Sequence, residues 1–130
     1  MTPEQIAAPN TEHAHQAALF CWSNTVQDQW PELKWMYAIP NGGERGAATA
    51  GRLKAEGVKS GVSDICLPIP RKGYHGFYIE MKKPGQLKGE SKNQKDFGAF
   101  VIVNGYLYRC IDNWLDAKKS IEWYMGAQEC

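Results

Sequence analysis

The chain has no run of about 18 apolar residues, the length a helix needs to cross a bilayer, so no membrane partner is expected. It opens on Met1-Thr2-Pro3-Glu4-Gln5, without a basic start or an apolar signal core, and a cytoplasmic location is the expectation. It lacks a Cys-x-x-Cys pair. Its four cysteines, Cys21, Cys66, Cys110 and Cys130, are widely scattered, which argues against zinc and reads as buried thiols in a reducing compartment. His13, His15 and His75 add no metal-ligand spacing and are read as surface or packing residues. Internal repeats and long low-complexity tracts are also missing.

What remains is a foldable chain. Its 130 residues fit one domain, and 43% apolar residues with 15 aromatics exclude a disordered chain. The net charge of +1 conceals an uneven distribution. Residues 1–70 carry a net −2, residues 71–95 a net +5, and residues 96–130 a net −2. A local basic block suits a polyanionic partner.

Residues 1–10, with Pro3 and Pro9, are expected to form a flexible lead-in to a single domain spanning 11–130. Asn10 or Thr11 caps a helix running to about residue 29, with Leu19, Trp22 and Val26 facing the core. A short strand over 35–39 precedes Pro40-Asn41-Gly42-Gly43, and a helix over 47–56 stops at Gly57. Two strands follow, over 63–70 and 77–84, around a glycine-containing turn at 71–76. Residues 83–90 read as a mobile loop, and Ser91 caps a helix to about 101. A strand over 106–111 leads to a last helix opened by Asp112 or Asn113, with Trp114, Ala117, Ile121 and Tyr124 on one face. This order predicts an α/β fold, a mixed sheet flanked by helices.

The chemistry concentrates in the strand pair. Period-2 alternation puts Phe77, Ile79 and Met81 on one face and Tyr78, Glu80 and Lys82 on the other. Asp64, at the start of the facing strand, can meet Glu80 and Lys82. Two carboxylates, with the adjacent Met81 carbonyl, suit a hard divalent cation such as Mg2+ or Mn2+. A lysine beside them can orient a water or stabilise charge on a phosphate ester. An exposed strand carrying a cross-strand ion pair presents the same residues, so the motif alone is not specific.

The ordered set Pro40-Asn41-Gly42-Gly43-Glu44-Arg45, Leu53-Lys54-Ala55-Glu56-Gly57-Val58, Gly61-Val62-Ser63-Asp64, Ile79-Glu80-Met81-Lys82 and Ser91-Lys92-Asn93-Gln94 resembles the VRR-NUC family. These are virus-type replication-repair nucleases of the PD-(D/E)xK superfamily, and the resemblance covers roughly residues 12–125. It implies a restriction-endonuclease-like core and a metal-dependent DNA endonuclease. Asp64 and Glu80 would be metal ligands, Lys82 the catalytic lysine, Gln94 its support from the following helix, and Glu12 an acid reaching in from the first helix. Arg45, Arg52, Lys59, Lys83, Lys88 and Lys92 are candidate DNA phosphate contacts. The family commonly has proline where this chain has Ser63. Stand-alone members resemble Holliday-junction resolvases, which implies a phage source, a homodimer, branched DNA as substrate and a role in DNA repair. Two readings stay open beside it: a nickase or flap-type nuclease, and a non-catalytic DNA-binding subunit with a nuclease fold.

Overall fold

A computed structural model describes residues 1–40 and 47–126 of the chain. The motif residues Asn41, Gly42, Gly43, Glu44 and Arg45, and also Cys130, lie outside the described residues. Four strands form one mixed sheet in the order β1 (Tyr37–Ala38), β2 (Ile65–Leu67), β3 (Phe77–Met81), β4 (Leu107–Ile111). β1 and β2 are antiparallel, β2 and β3 form an antiparallel hairpin, and β3 and β4 are parallel. The helices are α1 (Pro3–Ala7), α2 (Glu12–Thr25), α3 (Ala47–Ala55), α4 (Lys92–Val103) and α5 (Trp114–Met125).

The two faces of the sheet are unlike. Ile65, Leu67, Phe77, Ile79, Met81, Leu107 and Ile111 pack with Leu19 and Trp22 of α2 and Trp114, Ala117, Ile121 and Tyr124 of α5 into one core. Fully burying a side chain of this size stabilises by about 1.5–3 kcal/mol. The Tyr124 hydroxyl ends this core by donating to the Ile69 carbonyl at 2.6 Å. By register, Cys66, Tyr78 and Tyr108 lie side by side on the opposite face, and Glu80 lies beside Cys110. α4 covers that face: Phe97 meets Tyr78 edge-on, and Gly98 lies against the Tyr108 ring.

The expected caps hold. Thr11, Ser91 and Asn113 accept from the backbone N–H groups of Ala14, Gln94 and Asp116 and start α2, α4 and α5. α3 stops at Gly57, whose φ of +100° an L side chain rarely adopts. Free thiols are found at Cys21, Cys66 and Cys110, of which Cys66 is buried. His15 is a packing residue: its Nδ1 accepts the Trp114 N–H at 3.0 Å and its Nε2 donates to Asn10 Oδ1 at 2.8 Å, tying α2 to the start of α5.

Several expectations need correction, and the strands expected over 63–70 and 77–84 are trimmed to Ile65–Leu67 and Phe77–Met81. The lead-in over 1–10 contains helix α1, closed by a Thr2–Gln5 capping box with Pro3 in its first turn. Proline is at home in a first helical turn, where its missing N–H costs nothing. Ala7 is buried, and Ile6 packs on the core. α2 ends at Thr25, short of residue 29, and Pro31 starts a 3-10 turn (Pro31–Trp35) that trims the strand expected over 35–39 to Tyr37–Ala38. The loop over 83–90 is tethered. The Gly85 N–H donates to Asp112 Oδ2 at 2.9 Å, the Gly89 carbonyl accepts from Lys82 Nζ at 3.2 Å, and Tyr108 holds Glu90. The Gly85 and Asn113 donors hold the Asp112 carboxyl below its usual range.

Candidate active site

The site forms where the β2–β3 hairpin opens. Asp64 sits one residue before β2, and stepping the register back from Ile65 and Ile79 sets it opposite Glu80. Its Oδ2 accepts the Met81 N–H at 2.8 Å, and its carbonyl accepts the Ile39 N–H at 2.7 Å. Asp64 therefore joins β1, β2 and β3 at their shared end. The Met81 side chain is buried in the apolar core, so only its main chain faces this cluster.

Glu80 is 1% exposed. Its Oε1 accepts from Gln94 Nε2 at 2.9 Å, while its Oε2 is buried with no hydrogen-bond partner among the described residues. Burial first, and then the neighbouring Asp64 charge, push its pKa from 4.5 up to about 9. A buried carboxyl shifted in this direction favours its neutral form until a cation offsets the charge.

Gln94 connects the acid to the base. Its Oε1 accepts from Lys82 Nζ at 2.8 Å and from the Ser91 N–H at 2.8 Å. An amide oxygen committed to two donors leaves its NH2 for Glu80. The Ser91–Gln94 capping box thus starts α4 and sets the Gln94 amide in one act. The Lys82 N–H bonds the Ile111 carbonyl at 2.8 Å, continuing the sheet beyond β3.

Glu12 lies in the first turn of α2, exposed. Its pKa is raised by partial burial and by the charge of Asp64, and Lys82 opposes the shift, so its carboxyl feels the same cluster. Asp64, Glu80, Lys82, Gln94 and Glu12 therefore converge in the fold. Among the described residues no three His, Cys, Asp or Glu side chains form a metal cage. The donor set is the sparse kind that magnesium uses, one or two carboxylates with the rest water and substrate. The unpartnered Glu80 Oε2 fits such a cation.

The basic block divides in space. Arg71 and Lys72 sit in the hairpin turn at the far end of β2 and β3, where Arg71 pairs with Glu32 and Lys72 lies over Trp123. Tyr74, in the same turn, packs against Tyr124. Lys83 and Lys88 are exposed on the tethered loop, and Lys92 is exposed but paired to Asp96 at 2.7 Å. Arg52 is exposed on α3, Lys59 is exposed beyond its end, and Arg45 lies outside the described residues. α3 lies in the connection between β1 and β2, which re-enters the sheet just after Asp64. The return is close: a Cβ at Gly61 would meet the Asn93 backbone of α4 at 2.6 Å.

Ser63 is fully buried and its hydroxyl has no partner among the described residues. Tyr108 and Glu90, which hold the loop, carried no recognisable sequence signal, because 18 residues separate them.

No family model matches this chain, and no curated protein matches it. Among solved structures, a protein described as a VRR_NUC domain protein shares its fold with a TM-score of 0.71, over 88% of each chain and at 25% identity.

Proposed function

We propose, for this chain of the VRR-NUC family, divalent-metal-dependent hydrolysis of phosphodiester bonds in DNA. The VRR_NUC neighbour supports a nuclease-type function. One observation carries the finer reading. A single amide, Gln94, joins a buried acid with an unpartnered oxygen to a lysine ammonium, beside a second acid.

Asp64, Glu80 and the Met81 carbonyl would hold Mg2+ or Mn2+. The chemistry such an ion supplies is polarisation of the phosphoryl oxygen and a lower pKa for an attacking water. The chain's own residues do the rest. Glu80 would bind such an ion as its carboxylate, giving up the proton that burial favours. Lys82 has two of its three N–H donors aimed at Gln94 and Gly89, which leaves one to orient a water or meet charge on the phosphate. Glu12 on α2 would add negative charge to the same cluster. Arg52, Lys59, Lys83, Lys88 and Lys92 contact phosphates along the duplex, Lys92 most weakly because Asp96 shares its charge.

The finer reading is structure-selective cutting of branched DNA, which the resemblance to Holliday-junction resolvases implies. A homodimer would pair two sites on a two-fold axis. The exposed Phe100, Ile102 and Val103 of α4 support an interface between copies.

The test is a panel of duplex, nicked, flap and four-way-junction DNA with magnesium or manganese. Preferential cutting of the junction is expected. No cutting of any substrate would replace this reading with a non-catalytic binding subunit, and preference for nicked or flap DNA would replace the resolvase-like one. A purely monomeric sedimentation profile would remove the dimer.

A further inference from the structure

One contact on the α4 side of the sheet takes no part in the chemistry above. The Tyr108 hydroxyl donates to Glu90 Oε2 at 2.5 Å. Glu90 is the residue before Ser91, the cap whose N–H fixes the Gln94 amide. Eight residues further on, the Tyr108 ring lies against Gly98, where a Cβ would come within 2.8 Å of it. One side chain on β4 therefore holds α4 at two heights, at its entry and about two turns along. Two contacts spaced along a helix resist its tilting on the sheet, which one contact does not. Gln94 lies between the two points, and its bonds to Lys82 and Glu80, at 2.8 and 2.9 Å, have little slack.

We propose that Tyr108 and Glu90 form a positioning pair, which fixes α4 on the sheet and, through Gln94, sets the reach of the Lys82 ammonium and the orientation of the Glu80 carboxyl. Its catalytic consequence rests on the nuclease reading; its structural consequence does not. Tyr108 is suited to the role. Burial and the Glu90 carboxylate hold its phenol far above the usual range, so it stays a donor.

The experiment compares the full chain with Tyr108→Phe, Glu90→Ala, the double variant and Glu90→Gln. Three quantities are read: kcat and KM on the DNA the protein cuts, the Gln94 side-chain amide resonances without metal, and the melting temperature. Tyr108→Phe and Glu90→Ala should each lower kcat about tenfold with KM unchanged, since small displacements of a reacting group cost rate rather than binding. The double variant should be no slower than the slower single, because one contact is lost only once. Glu90→Gln keeps an acceptor oxygen and should retain most of kcat. The Gln94 resonances should shift in Tyr108→Phe and Glu90→Ala and much less in Glu90→Gln.

An unchanged kcat in Tyr108→Phe, or losses that multiply in the double variant, would overturn the pair. A fall in melting temperature with kcat and the Gln94 resonances unmoved would also overturn it, because that is a purely structural contact. A wild-type protein that cuts nothing removes the nuclease reading alone. The Gln94 resonances then decide the positioning, and unmoved resonances in Tyr108→Phe reject it.

Discussion

The two faces of the sheet divide the work of the molecule. On one, Ile65, Leu67, Phe77, Ile79 and Met81 meet α2 and α5 in an apolar core whose Tyr124 hydroxyl is satisfied by the Ile69 carbonyl. On the other, Glu80, Tyr78 and Tyr108 meet α4 and the residues that lead into it, and the contacts are hydrogen bonds and ring edges. Along β3 the two alternate residue by residue, so Ile79 builds the core and Glu80 builds the site. The first face supplies stability. The second carries a cost to stability, because it keeps an acid buried with one oxygen unpartnered.

Substitutions that separate stability from activity would sharpen this division. The largest effect is expected at Lys82. Lys82→Ala should reduce DNA cleavage by about 10²-fold or more, the usual loss when one positioned charge is removed, while leaving the melting curve nearly unchanged. Cleavage close to wild type would move the site elsewhere. Ile79→Ala, one position from Glu80 on the other face, should cost about 2–5 kcal/mol of stability in urea unfolding, without a specific effect on the rate of protein that remains folded.

The third effect is pH-dependent. In metal-free protein Glu80 stays protonated up to about pH 9, whereas its ordinary value is 4.5. Below 4.5 both folded and unfolded forms are protonated and no stability is lost. As pH rises from 4.5 towards 9 the unfolded chain ionises first, and the fold weakens. Urea unfolding in chelator should show this decline in the wild type and a shallower one in Glu80→Gln. Parallel profiles would place the buried proton on another group. The smallest effect is at Ser63, whose buried hydroxyl lacks a partner. Ser63→Ala should raise stability by up to about 1 kcal/mol, as expected when an unsatisfied polar group is removed. A clear loss of stability would mean that this hydroxyl bonds a water or ion.

Local signals made much of this legible in advance. The caps at Thr11, Ser91 and Asn113, the α5 face through Trp114, Ala117, Ile121 and Tyr124, and the alternation across 77–82 are all short-range patterns, and all are present. Asp64, Glu80 and Lys82 could be grouped because a hairpin joins their strands. What escaped depends on contacts between distant residues. The 83–90 loop reads as mobile because its anchors, Asp112 and Tyr108, are 27 and 18 residues from the groups they hold. The basic block counted along the chain is not one patch, because the hairpin sends Arg71 and Lys72 to the opposite end from Lys82. α1 escapes a local reading because Pro3 suits an irregular lead-in and a first helical turn equally.

The most direct measurement is manganese-dependent cleavage of four-way-junction DNA by the wild type and by Asp64→Asn, at matched fractions folded. Asp64→Asn keeps an oxygen to accept the Met81 N–H but loses the charge offered to a cation. The wild type should cut, and Asp64→Asn should be slower by about 10²-fold or more. Equal cutting by the two proteins would contradict this role for Asp64.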